Sequence, residues 1–409
     1  MATQMKGSFD VGGITLDRPF KIRRLGHFGF YANEMDTSLR FYRDLLGFQV
    51  TDVLDFGQRA NNSKDLEGKG DTRGYFMRYG TDHHAFVLFP WRVRKALDYN
   101  DSMAEGATMN QITWQVGSLK EVREATDWFS EVGVHFGRTG RDLPGSNWHV
   151  YPVDPDGRVN ELFYGIEQIG WNGLSKPHNM YDQQFTDPPE IPYMREAEEV
   201  RRAREAGIDM SVGTNSLEQG DGEYDVGGVM LPRPFKITGI GPVRLFTENM
   251  DETLRFYTDR LGFVLTETTE WNGEVCHFLR CGNDHHSLAL YPIGLRAELG
   301  LTDRSTSFSF GVRVNDYSQL KNAISWLQDK GAEIRYFPPE LFPGMDYTAF
   351  AIDPDGHAIQ LYCYMEQIGW NGRPRPRDQR RQIDSENWPE TLSPASDTFA
   401  GEQFMGPWG

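Results

Sequence analysis

Hydrophobic and polar positions along this chain alternate between two periods. From Arg23 to Ala32 apolar residues run almost unbroken, the pattern of a strand buried on both faces. Asp36-Thr37 then caps a segment in which Leu39, Phe41-Tyr42 and Leu45-Leu46 recur at helical spacing, and Gly47 is a helix stop. Strands are predicted over 49–56, 74–79 and 85–90, and a polar helical stretch over 92–105. The order is β-α-β-β-β, and it starts again at once. A strand over 110–116, a helix over 119–132 and strands over 134–138, 148–153 and 159–165 follow, the last two flanking the turn Asp154-Pro155-Asp156-Gly157.

The whole pattern then recurs. Leu25 to Phe48 returns as Ile240 to Phe263, with Gly26 and Gly47 answered 215 positions on by Gly241 and Gly262. The repeat begins earlier, since Asp10-Val11-Gly12-Gly13 and Arg18-Pro19-Phe20-Lys21 come back as Asp225-Val226-Gly227-Gly228 and Arg233-Pro234-Phe235-Lys236. A polar segment over 61–73 gives the first half 13 extra residues, which reads as a loop insertion near a cavity mouth. The second half continues with a strand over 307–314, a helix over 317–330, the turn Asp353-Pro354-Asp355-Gly356 and a strand over 358–364. Both halves close on Glu-Gln-Ile-Gly-Trp-Asn-Gly, at 167–173 and 366–372, where Trp171 and Trp370 are expected to plug matching grooves. The expected organisation is α+β: four βαβββ modules paired into two bowl-shaped barrels, 1–173 and 225–372. A linker or strap over 174–224, with a helix over 195–206, joins them, and an extended tail over 373–409 follows. The tail's 401–409 carries Phe404, Met405 and Trp408. The twin Asp-Pro-Asp-Gly turns are expected to serve hairpin geometry rather than ion binding.

Composition narrows the function classes. A net charge of −17 argues against nucleic acid or an anionic membrane as partner, because both require clustered Lys and Arg. It leaves a small phenolic or acidic substrate open. The three cysteines have no zinc spacing and no even disulfide framework, and the first residues lack an apolar signal region, so a cytoplasmic setting is expected. No run approaches the ~18 apolar residues of a membrane span. Exposed sheet edges and the long linker are compatible with a homodimer.

Several short motifs complete the picture: Gly26-His27-Phe28, Leu46-Gly47-Phe48, Asp82-His83-His84, and Glu161 four residues after Gly157. Together with the module order they resemble the vicinal oxygen chelate superfamily, which includes glyoxalase I, bleomycin and fosfomycin resistance proteins, and type I extradiol ring-cleavage dioxygenases. The resemblance is closest to the dioxygenases, good over 22–165 and weaker over 237–364. It implies a metal site of His27, Gln111 and Glu161, with Gln111 standing where the dioxygenases have histidine, as glutamine does in glyoxalase I. It implies iron(II), with manganese(II) as the alternative, holding a catechol and O2 in the open positions. His84 would be the acid–base, Tyr151 would hydrogen-bond the substrate, and Phe28, Phe30 and Trp114 would pack on its ring. His149, two residues before Tyr151 on a strand, shares that residue's face and is an alternative donor.

In the second half the three ligand positions read Pro242, Ser309 and Gln360, so no metal is expected there. The His285-His286 pair nevertheless survives, which points to a structural job for the pair in both halves. Strand alternation would send its two rings opposite ways, one of them out of the bowl. Three readings follow: a metal-dependent ring-cleaving dioxygenase acting on a catechol or related phenolic, a redox-neutral isomerase or lyase of the glyoxalase type, and a metal-free small-molecule binder.

Overall fold

The computed structural model describes residues 8–392, apart from 59–63, 98–107, 142–143, 146, 182–188, 218–220, 370, 382 and 385–386. Tail residues 401–409 and most of the predicted helix over 92–105 lie outside the described residues; at the start of the latter, Trp91–Ala96 is helical. In the N-terminal half the strands are β1 (Arg24–Ala32), β2 (Gln49–Asp55), β3 (Arg73–Arg78), β4 (Phe86–Pro90), β5 (Met109–Gln115), β6 (Phe136–Arg141), β7 (Trp148–Pro152) and β8 (Asn160–Tyr164). They form one eight-stranded sheet in the order β2-β3-β4-β1-β5-β8-β7-β6. Each module contributes four adjacent strands, and the two modules meet where β1 pairs with β5 antiparallel. The C-terminal half repeats this order with β9 (Ile237–Thr247), β10 (Val264–Trp271), β11 (Glu274–Arg280), β12 (Leu288–Pro292), β13 (Ser307–Val314), β14 (Glu333–Arg335), β15 (Thr348–Ile352) and β16 (Ala358–Tyr362).

The first helix, α1 (Met35–Leu39), continues as a π-helical stretch over Arg40–Leu46 that ends at Gly47 with φ +94°. It starts one residue before the expected cap, so Asp36 lies in the first turn. The second helix, α2 (Leu119–Glu131), is capped by Ser118, whose hydroxyl accepts from the Glu121 amide. Among the described residues no helix is long and apolar enough to cross a membrane.

One face of both sheets joins a common core. Phe28 stacks on Phe310 at 4.7 Å, Phe30 lies 3.9 Å from the His357 ring, and Trp114 meets Phe263 edge-on at 4.8 Å, so the halves share apolar packing. The Asp-Pro-Asp-Gly turns have a role beyond hairpin geometry: each docks the first helix of the other half. Tyr42 donates to Asp353 at 2.7 Å, and Asn33 and Ser38 donate to Asp355. Reciprocally, Tyr257 donates to Asp154 at 3.1 Å, and Thr253 donates to Asp156. This exchange explains why both halves keep the turn. Trp171, by contrast, is 96% exposed and plugs no groove, while Trp370 lies outside the described residues.

The opposite, concave faces differ between halves. That of the C-terminal half is filled by Phe246, Phe278, Tyr291, Phe308, Phe342 and Phe350. That of the N-terminal half carries buried polar side chains at its centre.

Candidate metal centre

Strand register assembles the centre. His27 on β1 is the lateral partner of Thr113 on β5, which is in turn the partner of Glu161 on β8, so three central strands present one row across the sheet. Gln111, opposite Gly29, comes from the same face of β5 two residues along. His149 pairs with Phe163 on β8 and so shares the face of Glu161. His27, Glu161 and His149 are all buried. Phe163 closes over His27, with ring centroids 5.5 Å apart. Gly26 makes that possible, because a Cβ there would sit 2.1 Å from the Phe163 ring.

Within this cluster Gln111 Nε2 is 2.8 Å from both His27 Nε2 and Glu161 Oε2, and those two atoms are 3.2 Å apart. Thr113 donates to the same carboxylate oxygen at 3.0 Å, and Asn147 donates to the other at 2.6 Å. Burial alone would raise the Glu161 pKa. The neighbouring His27, with the contributions of His149 and Thr113, outweighs it and holds the carboxyl below its ordinary value. Among the described residues no three His, Cys, Asp or Glu side chains gather into a metal cluster, so a metal here would need an amide donor such as Gln111. The donor set suits that. Donors about 2.1 Å from a divalent metal sit ~3 Å apart when cis, which is the size of the His27–Gln111–Glu161 triangle. Turning the Gln111 amide about its axis brings its oxygen to the same place. His27 Nδ1 is buried without a hydrogen-bond partner, a polar cost that fits a histidine positioned by something other than its own network.

The His83-His84 pair lies against this triangle. Both rings are buried, against the expectation that one would leave the bowl, because the pair occupies a turn rather than a strand and alternation does not apply. The rings stand nearly perpendicular, with the two Nδ1 atoms 3.1 Å apart. His84 packs on His27 at 4.3 Å and on Phe76 at 5.1 Å. Burial, then the neighbouring imidazoles, holds the His84 pKa well below the usual histidine value. Gly145, at φ +88°, lies against both rings, and a Cβ there would come within 2.9 Å of His84.

The structure thus brings His27, Gln111, Glu161, His84 and His149 together. His149 stands on the far side of the carboxylate, with Nδ1 3.9 Å from Glu161 Oε1 and 3.2 Å from the Asn147 carbonyl, so it is outside the triangle. Tyr151 is beside His149, 4.6 Å between rings, under the Arg138 guanidinium. Phe28, Phe30 and Trp114 are the correction. They alternate with His27 and Thr113 and leave the opposite face into the core between halves. The aromatics beside the cluster are Phe76 and Phe163. Asn147 and Thr113 are contributors that sequence reading missed; Thr113 was discoverable, being two residues from Gln111 on a predicted strand.

In the C-terminal half Arg244, which replaces Gly29, fills the corresponding space. Its buried guanidinium donates to Gln360, to Ser309 at 3.4 Å and to His286 Nε2 at 2.9 Å. A fixed cation therefore sits where the N-terminal half gathers its donors.

Comparisons with known proteins agree with this architecture. Over 148 residues the chain is 28% identical to metapyrocatechase 2 of Cupriavidus necator, a match covering 36% of this chain and 38% of that one, so it spans well under half of the relative's length. Among solved structures, homoprotocatechuate 2,3-dioxygenase from Arthrobacter globiformis superimposes with a TM-score of 0.53 at 16% identity, covering 87% of this chain and 84% of that one. The Mn(II)-bound glyoxalase from Novosphingobium aromaticivorans superimposes with a TM-score of 0.52 at 15% identity, covering 86% and 85%. The family model described as Glyoxalase/Bleomycin resistance protein/Dioxygenase superfamily matches residues 24–162 and 239–361, one segment in each half, and the chain belongs to that superfamily.

Proposed function

We propose that the N-terminal half is the active half of a metal-dependent, extradiol-type ring-cleaving dioxygenase acting on a catechol or related phenolic with O2, with iron(II) as the metal and manganese(II) as the alternative. The reading is carried by the triangle of His27, Gln111 and Glu161, whose edges of 2.8, 2.8 and 3.2 Å suit three cis donors on one metal. The relatives named above, one of them a dioxygenase by name, support the same chemistry. A divalent metal held there would bind the two vicinal oxygens of the substrate and act as a Lewis acid and oxygen site.

The protein's own part is positioning and proton movement. Glu161 is fixed by Thr113 and Asn147, so its Oε2 faces His27 without reorganisation. His84 is kept neutral by burial and is placed to take a phenolic proton. Phe76 and Phe163 make an apolar wall beside it, and His149 and Tyr151 flank the far side of the carboxylate.

One observation favours a second, redox-neutral reading of the glyoxalase type: the middle donor is an amide. Metal analysis and oxygen uptake separate the two. Protein prepared anaerobically without chelator should carry near one equivalent of iron or manganese, lose it in Glu161→Gln, and consume O2 with a panel of catechols. Nickel or zinc without oxygen uptake moves the assignment to the second reading. No metal at any loading, with His27→Ala leaving ligand affinity unchanged, refutes both.

A further inference from the structure

Two residues outside the donor triangle bear on what His84 does. Asp52, in the middle of β2, is buried, and its Oδ2 lies 3.3 Å from His83 Nε2. Its Oδ1 is held from the segment joining the halves, by His178 Nε2 at 2.8 Å and by the Thr214 hydroxyl at 2.9 Å. The order of contacts is therefore His178, Asp52, His83, His84 and His27, running from a half-exposed imidazole to the donor triangle.

The hydrogens along this chain follow from what each end is able to do. Burial raises the Asp52 pKa, but His178 and His83 overcome it and hold the carboxyl at about 2. Asp52 is therefore ionised and only accepts. His83 Nε2 must carry hydrogen. The matched pair in the C-terminal half fixes the sense of the inner contact: there the outer ring's Nδ1 accepts, and His83 Nδ1 is assigned the same role. The 3.1 Å Nδ1–Nδ1 contact needs one donor, so His84 Nδ1 carries hydrogen and His84 Nε2 is left as a lone pair.

The C-terminal half contains the same device with both ends fixed. Glu267, the counterpart of Asp52, accepts from His285 at 3.0 Å and is itself held at about 2, burial being outweighed by His285 and Arg380. His285 and His286 meet through Nδ1 atoms at 3.0 Å. At the inner end Arg244 Nη2 is 2.9 Å from His286 Nε2, and a guanidinium only donates. An acceptor-only group at one end and a donor-only group at the other force both rings into one pattern: hydrogen on His285 Nε2, on His286 Nδ1, and a lone pair on His286 Nε2. The N-terminal half keeps the carboxylate, the imidazole pair and the glycine against it, and puts Gly29 in place of Arg244. Its inner lone pair has no guanidinium to satisfy and is left for whatever enters the site.

We infer that Asp52, clamped by His178 and Thr214, is a positioning residue that acts through His83 to hold His84 in the Nδ1–H tautomer, so that His84 meets a substrate as a base through Nε2. The functional meaning rests on the proposed dioxygenase reading; the tautomer does not. It assigns the atom that meets the substrate: His84 presents an unprotonated Nε2 toward the substrate hydroxyl.

The test is histidine-selective 15N labelling of the full chain, prepared without paramagnetic metal, with long-range 1H–15N spectra at fixed neutral pH. His83→Gln and His84→Gln assign the two rings. Wild-type His84 should be protonated on Nδ1 and not on Nε2. In Asp52→Asn the amide is able to donate to His83 Nε2, and His84 should shift to the Nε2–H form. His84 protonated on Nε2 in the wild type overturns the inference even if no variant folds, as does an unchanged pattern in folded Asp52→Asn. In active protein Asp52→Asn should lower kcat roughly 10- to 100-fold with KM little changed, because general-base catalysis is worth at least that much. A correct tautomer in a protein that never consumes O2 would sink the dioxygenase reading and leave this inference standing.

Discussion

Arg244 offers a sharp test of why the C-terminal bowl is closed. Its side chain is fully buried, reaches Gln360 and His286 Nε2, and lies 5.0 Å over the Phe342 ring. Burial pulls its pKa below the ordinary arginine value, and no carboxylate counters that. Three effects compete on truncation. Emptying the space the stem fills resembles a core Met→Ala change, about 2–5 kcal/mol. Each acceptor left buried without a donor costs about 1–3 kcal/mol. Against these, removing a charge buried without an ion-pair partner relieves a desolvation penalty of several kcal/mol. Arg244→Met keeps the filling and loses the charge and its bonds. The second and third effects then nearly cancel, and the variant should lie within about 2 kcal/mol of wild type. Arg244→Ala loses the filling as well and should lie about 2–5 kcal/mol below Arg244→Met. Urea unfolding of both variants measures the gap. Metal analysis should give no second equivalent in either, because Pro242, Ser309 and Gln360 supply no anionic ligand. If Arg244→Met unfolds as early as Arg244→Ala, the polar bonds and not the filled space hold this bowl shut, and the reasoning fails.

Three further outcomes are expected. Asp52 has a folded pKa of about 2 against an ordinary ~3.8, so it contributes stability above the unfolded pKa that is lost as pH falls through about 2. Its carboxylate should add about 2 kcal/mol at neutral pH and about half that at pH 3, read as a shrinking stability gap to Asp52→Asn in urea. Phe28→Ala should cost about 3–5 kcal/mol of stability, since it empties the stack with Phe310, while metal content stays at the wild-type level; a loss of metal would place Phe28 at the site after all. Tyr42→Phe removes a buried hydrogen bond to a carboxylate across the halves and should cost about 1.5–3 kcal/mol in equilibrium unfolding; no change would mean that Asp353 is fully served by His357, 2.9 Å away.

The fold was legible because it rests on local pattern written twice. Period-2 and period-3.6 runs, Gly47 and Gly262 as helix stops, and repeated turns each specify an element without long-range information. Strand limits agree within two or three residues, as for β5, predicted over 110–116 and found over Met109–Gln115. The members of the candidate site were legible in residue type: His27, Gln111 and Glu161 stand out because their counterparts are Pro242, Ser309 and Gln360. Orientation was not. Phe28 and Phe30 lie one and three residues after His27, yet a strand turns alternate residues to opposite faces. Which face is core depends on what the second half brings against it.

By itself, then, the sequence determined four modules, two halves and the absence of His27, Gln111 and Glu161 counterparts from one of them, since all three follow from periodicity and comparison along a single chain. Tertiary structure alone decided that His27, Thr113 and Glu161 share a row, because register between strands 86 and 48 residues apart has no local signature. It alone decided that Asp52, His178 and Thr214 converge behind His83, drawn from a strand and from the segment joining the halves. And it alone revealed that Arg244 fills the second bowl where the first gathers His27, Gln111 and Glu161: a buried guanidinium is recognised by what surrounds it, and its partners are scattered over 116 residues of sequence.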